Sequence, residues 1–160
     1  MRGSRLQLVA LAFVLAMAFL VGACGGSSAS SPGTADVEFL KPGDFAVADY
    51  AGKPLVINFF GSWCGPCKLE APDLAKFSAA HPGVQFVGVA ENDKKNDVAG
   101  FMQEFGLDYP VVMDDGGVGQ DQSITGVPTT IFFDSMGREA DRIIGAADLQ
   151  RFEEGLAKAQ

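Results

Sequence analysis

Leu55-Val56-Ile57-Asn58-Phe59-Phe60, then Gly61-Ser62, then Trp63-Cys64-Gly65-Pro66-Cys67: this stretch decides how the chain is read. A short apolar run bounded by turn-forming residues reads as a buried strand. From Cys67 to about Ala80 the spacing is helical, with Leu69, Pro72, Leu74, Ala75 and Phe77 expected to point inward. Two thiols three positions apart therefore fall at a strand-to-helix junction. There the first backbone N–H groups lack intrahelical partners, and the helix dipole adds partial positive charge. A thiolate so placed is stabilised, and its pKa falls below the ~8.5 of a free cysteine. Cys64 is accordingly read as an exposed nucleophile, and Cys67, one turn in and deeper, as the thiol that resolves a mixed disulfide. Pro66 suits a first helical turn, where its missing N–H would have no partner anyway. Trp63 is placed at the rim of the site.

Two blander readings compete. A structural disulfide across three residues closes so small a loop that chain entropy supplies only about 2 kcal/mol. Such a bridge is better suited to opening than to stapling. A zinc site normally needs four ligands, whereas the chain has one further cysteine, Cys24, and one histidine, His81. Lys68 after Cys67 removes the c-type haem attachment pattern. No metal and no cofactor are expected, because the two sulfurs themselves carry the electrons.

Working outward, Arg2 and Arg5 precede the apolar run 6–21, after which small residues and a Gly/Ser tract follow at once. This is the pattern of an export signal. Val21-Gly22-Ala23-Cys24 resembles a bacterial lipobox, which makes residues 1–23 a lipoprotein signal peptide and Cys24 the lipidated residue. Residues 24–35 have the composition of a flexible tether. Residues 36–160 then form one domain's length, enough for a single core. The chain carries 12 Lys+Arg against 20 Asp+Glu, a net charge of −8 that becomes −10 once Arg2 and Arg5 are removed. That balance argues against nucleic acid as a partner. Only Cys64 and Cys67 remain as cysteines in the domain, on a chain whose export puts them where disulfides form.

Several ordered motifs now carry a resemblance. They are Gly52 to Phe60, WCGPCKLEAP (Trp63 to Pro72), VQFVGVA (Val84 to Ala90), FMQEFGLDYPVVMD (Phe101 to Asp114) and GVPTTIFFDSMG (Gly126 to Gly137). Over about Phe39 to Gln160 the chain resembles the thioredoxin superfamily, and within it the membrane-tethered TlpA, ResA and DsbE-like proteins. The resemblance implies an α/β thioredoxin fold, a central mixed sheet flanked by helices with the TlpA-like strand–helix insert at 92–112. It implies that Val127-Pro128 forms a cis-proline loop beside the dithiol, exposing the Val127 backbone for strand-like pairing with a substrate. Glu70 matches the acid this branch carries just beyond its second cysteine, where a carboxyl can exchange protons with the thiols. The alternative for Glu70 is a first-turn residue favoured by the helix dipole. Asn58 stands where cytoplasmic thioredoxins have a buried Asp, so Glu70 or water must take over proton handling.

Strands are expected at Leu55–Phe60, Val84–Ala90, Val111–Met113, Thr129–Asp134 and Ala140–Ile144. Helices are expected at Cys64–Ala80, Asp97–Phe105, Gly119–Ser123 and Ala147–Ala157. The cluster Glu91, Asp93, Lys94, Lys95, Asp97 reads as a solvated helix entry, and Asp114-Asp115-Gly116-Gly117 as a turn rather than a calcium loop, since the ligand spacing is wrong. The implied function is thiol–disulfide exchange by Cys64 and Cys67 on the outer face of a bacterial membrane. The expected partners are cysteine-containing exported proteins, a membrane thiol donor or acceptor, and the membrane itself through lipid on Cys24; the chain is expected to be a monomer. Gly65-Pro66 matches reducing thioredoxins, and TlpA and ResA relatives are reductants serving cytochrome c or copper-site maturation. Actinobacterial DsbE-like proteins are oxidants, which leaves that direction as the alternative. A thiol peroxidase would need Thr and Arg beside Cys64, and a copper metallochaperone a histidine ligand, for which His81 is the one candidate.

Overall fold

The computed structural model describes residues 36–160; the stretches expected to be a signal and a tether, and Cys24, lie outside the described residues. The organising element is the apolar run itself. Leu55–Phe60 forms strand β2, and all of its residues are buried because both faces of the strand are covered. Before it come the two-residue β1 (Phe39–Leu40) and two 3-10 turns, Pro42–Asp44 and Val47–Tyr50. After it come α1 (Gly65–Ala80), β3 (Gln85–Glu91), α2 (Lys95–Phe105), β4 (Val111–Asp114), α3 (Gly117–Asp121), β5 (Thr129–Phe133), β6 (Glu139–Ile144) and α4 (Leu149–Ala159). The expected elements are all present, with ends moved by a residue or two. β1 and the 3-10 turns are additions.

The sheet order is β1-β4-β3-β2-β5-β6. β1, β4, β3 and β2 run parallel, while β5 is antiparallel to both of its neighbours, β2 and β6. This is the mixed α/β sheet of the thioredoxin fold. β5 and β6 are joined by a turn in which the Asp134 carboxylate accepts from the Met136 and Arg138 N–H groups. One apolar cluster unites Val56, Phe60 and Phe132 of the sheet with Leu74 and Phe77 of α1 and Phe152 and Leu156 of α4. A second contains Leu55, Ile57, Phe59, Val87, Val89 and Ile131, with Phe45, Val47 and Tyr50 of the 3-10 turns packed against it.

The helix α1 corrects one expectation. Its buried residues are Cys67, Glu70, Ala71, Leu74 and Phe77, whereas Leu69 is 79% exposed and Pro72 is exposed. The stripe that includes Cys67 recurs at three- and four-residue steps, and this phase puts Glu70, not Leu69, under the helix. Pro72 on the outer side leaves the Lys68 carbonyl without a donor where water can reach it.

Candidate active site

Cys64 has extended backbone angles (φ −83°, ψ 113°) and acts as the N-cap of α1, its sulfur accepting a hydrogen bond from the Cys67 N–H at 3.2 Å. Its Cα is 5.3 Å from that of Cys67, within the usual span of a bridge. The two are joined as a disulfide. Cys67 is 1% exposed and Cys64 only 4%, so the expectation of an exposed Cys64 is corrected. The loop before β5 lies against it: the Val127 carbonyl oxygen is 3.8 Å from Cys64 Sγ, and the Val127–Pro128 peptide bond is cis. Gly65 and Pro66 are exposed in the first turn of the helix. Trp63 is 60% exposed at the rim, lying over Gly61 and donating its indole N–H to the Glu91 carbonyl at 3.3 Å.

Beneath the helix, Glu70 is 2% exposed. One carboxylate oxygen accepts from Asn58 Nδ2 at 3.0 Å and the other from the Ala147 N–H at 3.1 Å. Asn58 also donates to Thr130 Oγ1 at 3.0 Å. β2, β5, α1 and the loop before α4 are thus tied by one polar network one turn away from Cys67. Burial pushes the Glu70 carboxyl up to about 7, opposed by the bonds from Asn58 and Ala147. Glu70 is neither a first-turn nor a dipole-facing residue, so that alternative is corrected as well.

The cluster read as a solvated helix entry is partly internal, which is a second correction of sequence patterning. Asp93 accepts from both the N–H (2.6 Å) and the hydroxyl (2.9 Å) of Ser62, clamping the loop before the dithiol. Asn92 beside it takes a positive φ of 48°. Glu91, ending β3, sits in register with Asp114, ending β4. Burial first, then the Asp114 charge and a hydrogen bond with Asp114, raise Glu91 to about 7. Its Oε1 is buried without a partner, and a Cβ at Gly119 would meet that oxygen at 2.5 Å. Asp114 accepts from the Val118 and Gly119 N–H groups and so fastens α3. Trp63, Glu91, Gly119, Ile124 and Val127 border a groove of about 290 Å³ alongside the dithiol. Sequence reading missed Glu91, Asp93 and Asp114 as parts of the site, because their partners are on other strands and loops.

His81 caps the far end of α1 and contacts Glu153 at 3.0 Å. At 1.5 Å per residue it is about 25 Å from Cys64, too far to share a metal with it. Among the described residues no group of three or more His, Cys, Asp or Glu side chains is arranged to hold a metal ion. No described helix is long and apolar enough to cross a membrane.

The family model of the Redoxin family matches residues 30–156. The thiol-disulfide oxidoreductase ResA of Geobacillus kaustophilus is 32% identical over 124 residues, 73% of this chain and 69% of that protein. The thiol:disulfide interchange protein HelX of Rhodobacter capsulatus is 36% identical over 96 residues, 59% of this chain and 53% of that one. The chain thus spans about half the length of HelX and about two thirds of ResA. Among solved structures, a secreted Mycobacterium tuberculosis disulfide oxidoreductase homologous to E. coli DsbE superposes with a TM-score of 0.65 at 26% identity, covering 71% of this chain and 87% of that one. A dithiol at the N-terminus of α1, a cis-proline loop against it and a matching family model lead to one statement: the chain belongs to the Redoxin family, as a ResA/DsbE-like protein of the thioredoxin superfamily.

Proposed function

We propose that the chain is an extracytoplasmic thiol–disulfide oxidoreductase that reduces disulfides of exported proteins. The observation that carries the exchange chemistry is the Cys67 N–H aimed at Cys64 Sγ at the helix N-terminus, which favours a thiolate on Cys64; the reducing direction is supported by Gly65-Pro66, the dipeptide of reducing thioredoxins. In the reduced protein that thiolate attacks one sulfur of a substrate disulfide. The other substrate sulfur leaves as a thiolate and takes up a proton. Cys67, deprotonated in turn, attacks Cys64 Sγ in the mixed disulfide, releases the second substrate thiol and closes the Cys64–Cys67 bridge. Two electrons pass from the dithiol to the substrate, and a membrane thiol donor restores them. Glu70 serves as the proton carrier for Cys67, a role supported by its burial and its carboxyl near neutrality. Trp63, Gly65, Pro66, Val127 and Pro128 form the substrate-facing rim, with the Val127 backbone pairing a substrate strand.

Apocytochrome c and copper sites are the substrates we favour. The opposite direction, oxidation of exported proteins, is supported by the likeness to the secreted disulfide oxidoreductase above. A redox titration of the Cys64–Cys67 pair against a glutathione or dithiothreitol buffer separates the two. Reducing thioredoxins lie near −270 mV and strong oxidants near −120 mV, so a value above about −180 mV sinks the reductant reading. In cells, Cys67→Ser should stall mixed disulfides through Cys64, and those adducts name the substrates. Secretion and anchoring through lipid on Cys24 are part of the same proposal; Cys24→Ala should release the chain from the membrane fraction. A thiol peroxidase is disfavoured because the described arginines, Arg138, Arg142 and Arg151, are paired with Asp134 of the β5–β6 turn and with Glu139 and Asp141 of β6. Peroxide consumption by the reduced protein tests that reading, and tight Cu(I) binding lost on His81→Ala would revive the metallochaperone.

A further inference from the structure

Tyr109 lies between α2 and β4, far from the dithiol in sequence. Its ring stacks on Phe86, with centroids 6.0 Å apart and planes 26° from parallel. It also lies over Gly88, where a Cβ would come within 3.3 Å of the ring. Gly88 is in register with Asn58 on one side and Val111 on the other. Paired residues of parallel strands share a face of the sheet, so the glycine leaves an opening beside Asn58, which the edges of the Phe60 and Tyr109 rings fill together with Val111. One edge of the ring lines a groove of about 480 Å³ at the surface, with Ala75, Ser78 and Pro82. The hydroxyl points the other way: it is buried, has no hydrogen-bond partner, and feels the charge of Glu70. Burial and that charge both raise the phenol, so it stays a donor.

An unpaired buried hydroxyl costs about 1–3 kcal/mol, and phenylalanine would fill the same space without it. The compensation therefore belongs to another state of the site. Each Glu70 oxygen already takes one N–H, and an ionised carboxylate has lone pairs for more. We propose that Tyr109 is a positioning residue for the dithiol reaction, its hydroxyl donating a hydrogen bond to the Glu70 carboxylate whenever that carboxyl is ionised. The bond holds Glu70 in the form that can take the Cys67 proton. The groups that act on Glu70 are Asn58 of β2 and the Ala147 N–H before α4, with Tyr109 within reach of its charge, and no charged side chain contributes to its shift. This inference rests on the proton role given to Glu70 above.

The test is an infrared titration of the Glu70 carboxyl in the reduced full chain, with Glu70→Gln identifying the band. Tyr109→Phe keeps the ring and its packing and should raise the Glu70 midpoint by about one pH unit, the size of one bond to a charged acceptor. An unchanged midpoint overturns the proposal. The second measurement is the pH profile of Cys67 alkylation. Tyr109→Phe should shift it downward in the native background, because a Glu70 kept neutral to higher pH repels the Cys67 thiolate less, and leave it unmoved in Glu70→Gln; equal shifts in both backgrounds overturn the proposal, because the hydroxyl would then act on something else. If Glu70→Gln leaves disulfide exchange intact, the proton role of Glu70 fails, whereas the infrared titration still decides whether Tyr109 binds the carboxylate.

Discussion

Glu70 and Glu91 flank the same strand-to-helix junction, one a turn beyond Cys67 and the other where the Trp63 indole meets β3, and each carboxyl is held at about 7. The causes differ. Glu70 is raised by burial alone, and its neighbours, Asn58 and the Ala147 N–H, pull it back down. Glu91 is raised by burial and raised again by the Asp114 carboxyl with which it shares a hydrogen bond. The first carboxyl is surrounded by donors that welcome its charge, and the second by an acceptor that repels it. A group that must gain and lose a proton in each cycle needs the first kind of surrounding. A group whose neighbour holds α3 in place suits the second.

Glu70→Gln should produce the largest effect. Removing a general acid or base typically costs about 100-fold or more, and here the exchange rate with a peptide disulfide at pH 7 should fall by about 10- to 100-fold, since water can substitute in part. Stopped-flow rates across pH would show the limb near 7 disappear, and an intact limb would assign it to another group. Stability carries the same signature. The folded value near 7 is above the ordinary 4.5, so the native state binds more protons than the unfolded chain between those limits. The contribution is full below about 4.5 and lost as pH rises through 7, about 3 kcal/mol at most for so buried a group. Denaturant melts of Glu70→Gln should lose that part of the pH dependence.

Glu91→Gln should act on stability and spare the chemistry. The same sign applies, with stability lost between 4.5 and 7, but Glu91 is only half-buried and solvent screening leaves about 1 kcal/mol. The glutamine amide can donate to Asp114, which a carboxylate cannot do. The variant should therefore unfold later than the native chain at pH 8 while its exchange rate keeps the limb near 7. A lost limb would mean that both carboxyls serve the dithiol, and the contrast would collapse.

The sequence makes one side of this contrast far more legible than the other. β2 and the dithiol are readable because an apolar run and a C-x-x-C are local signals. The Glu70 role is suggested only by resemblance, since apolar patterning puts Leu69 inward; the phase of α1 is set instead by the stripe through Cys67, Ala71, Leu74 and Phe77. Glu91 and Asp93 look like an exposed charge run because their partners, Asp114 and Ser62, are 23 and 31 positions away. Tyr109 is equally silent, its meaning depending on a missing side chain at Gly88 across the sheet. β1, two residues long, is too short to leave a pattern and is fixed by its pairing with Val111 and Val112 and by the packing of Phe39 and Leu40 against the two apolar clusters.

Trp63→Phe should give the smallest effect on stability and the cleanest test of the rim between the two carboxyls. The indole makes a single exposed hydrogen bond of 3.3 Å, and its ring rests on Gly61 with most of its surface in solvent. Losing that bond should change the unfolding free energy by less than about 0.5 kcal/mol. The Cys64–Cys67 potential should stay within a few millivolts, because neither the helix N-terminus nor Glu70 is touched. An exposed tryptophan beside a reactive sulfur is nevertheless the type of side chain that carries binding energy at interfaces. KM for a peptide disulfide should therefore rise severalfold with kcat unchanged. A fall in kcat with KM unchanged would place Trp63 among the groups acting on the sulfurs, and would tie the Glu91 strand end to the chemistry through the indole that bonds its carbonyl.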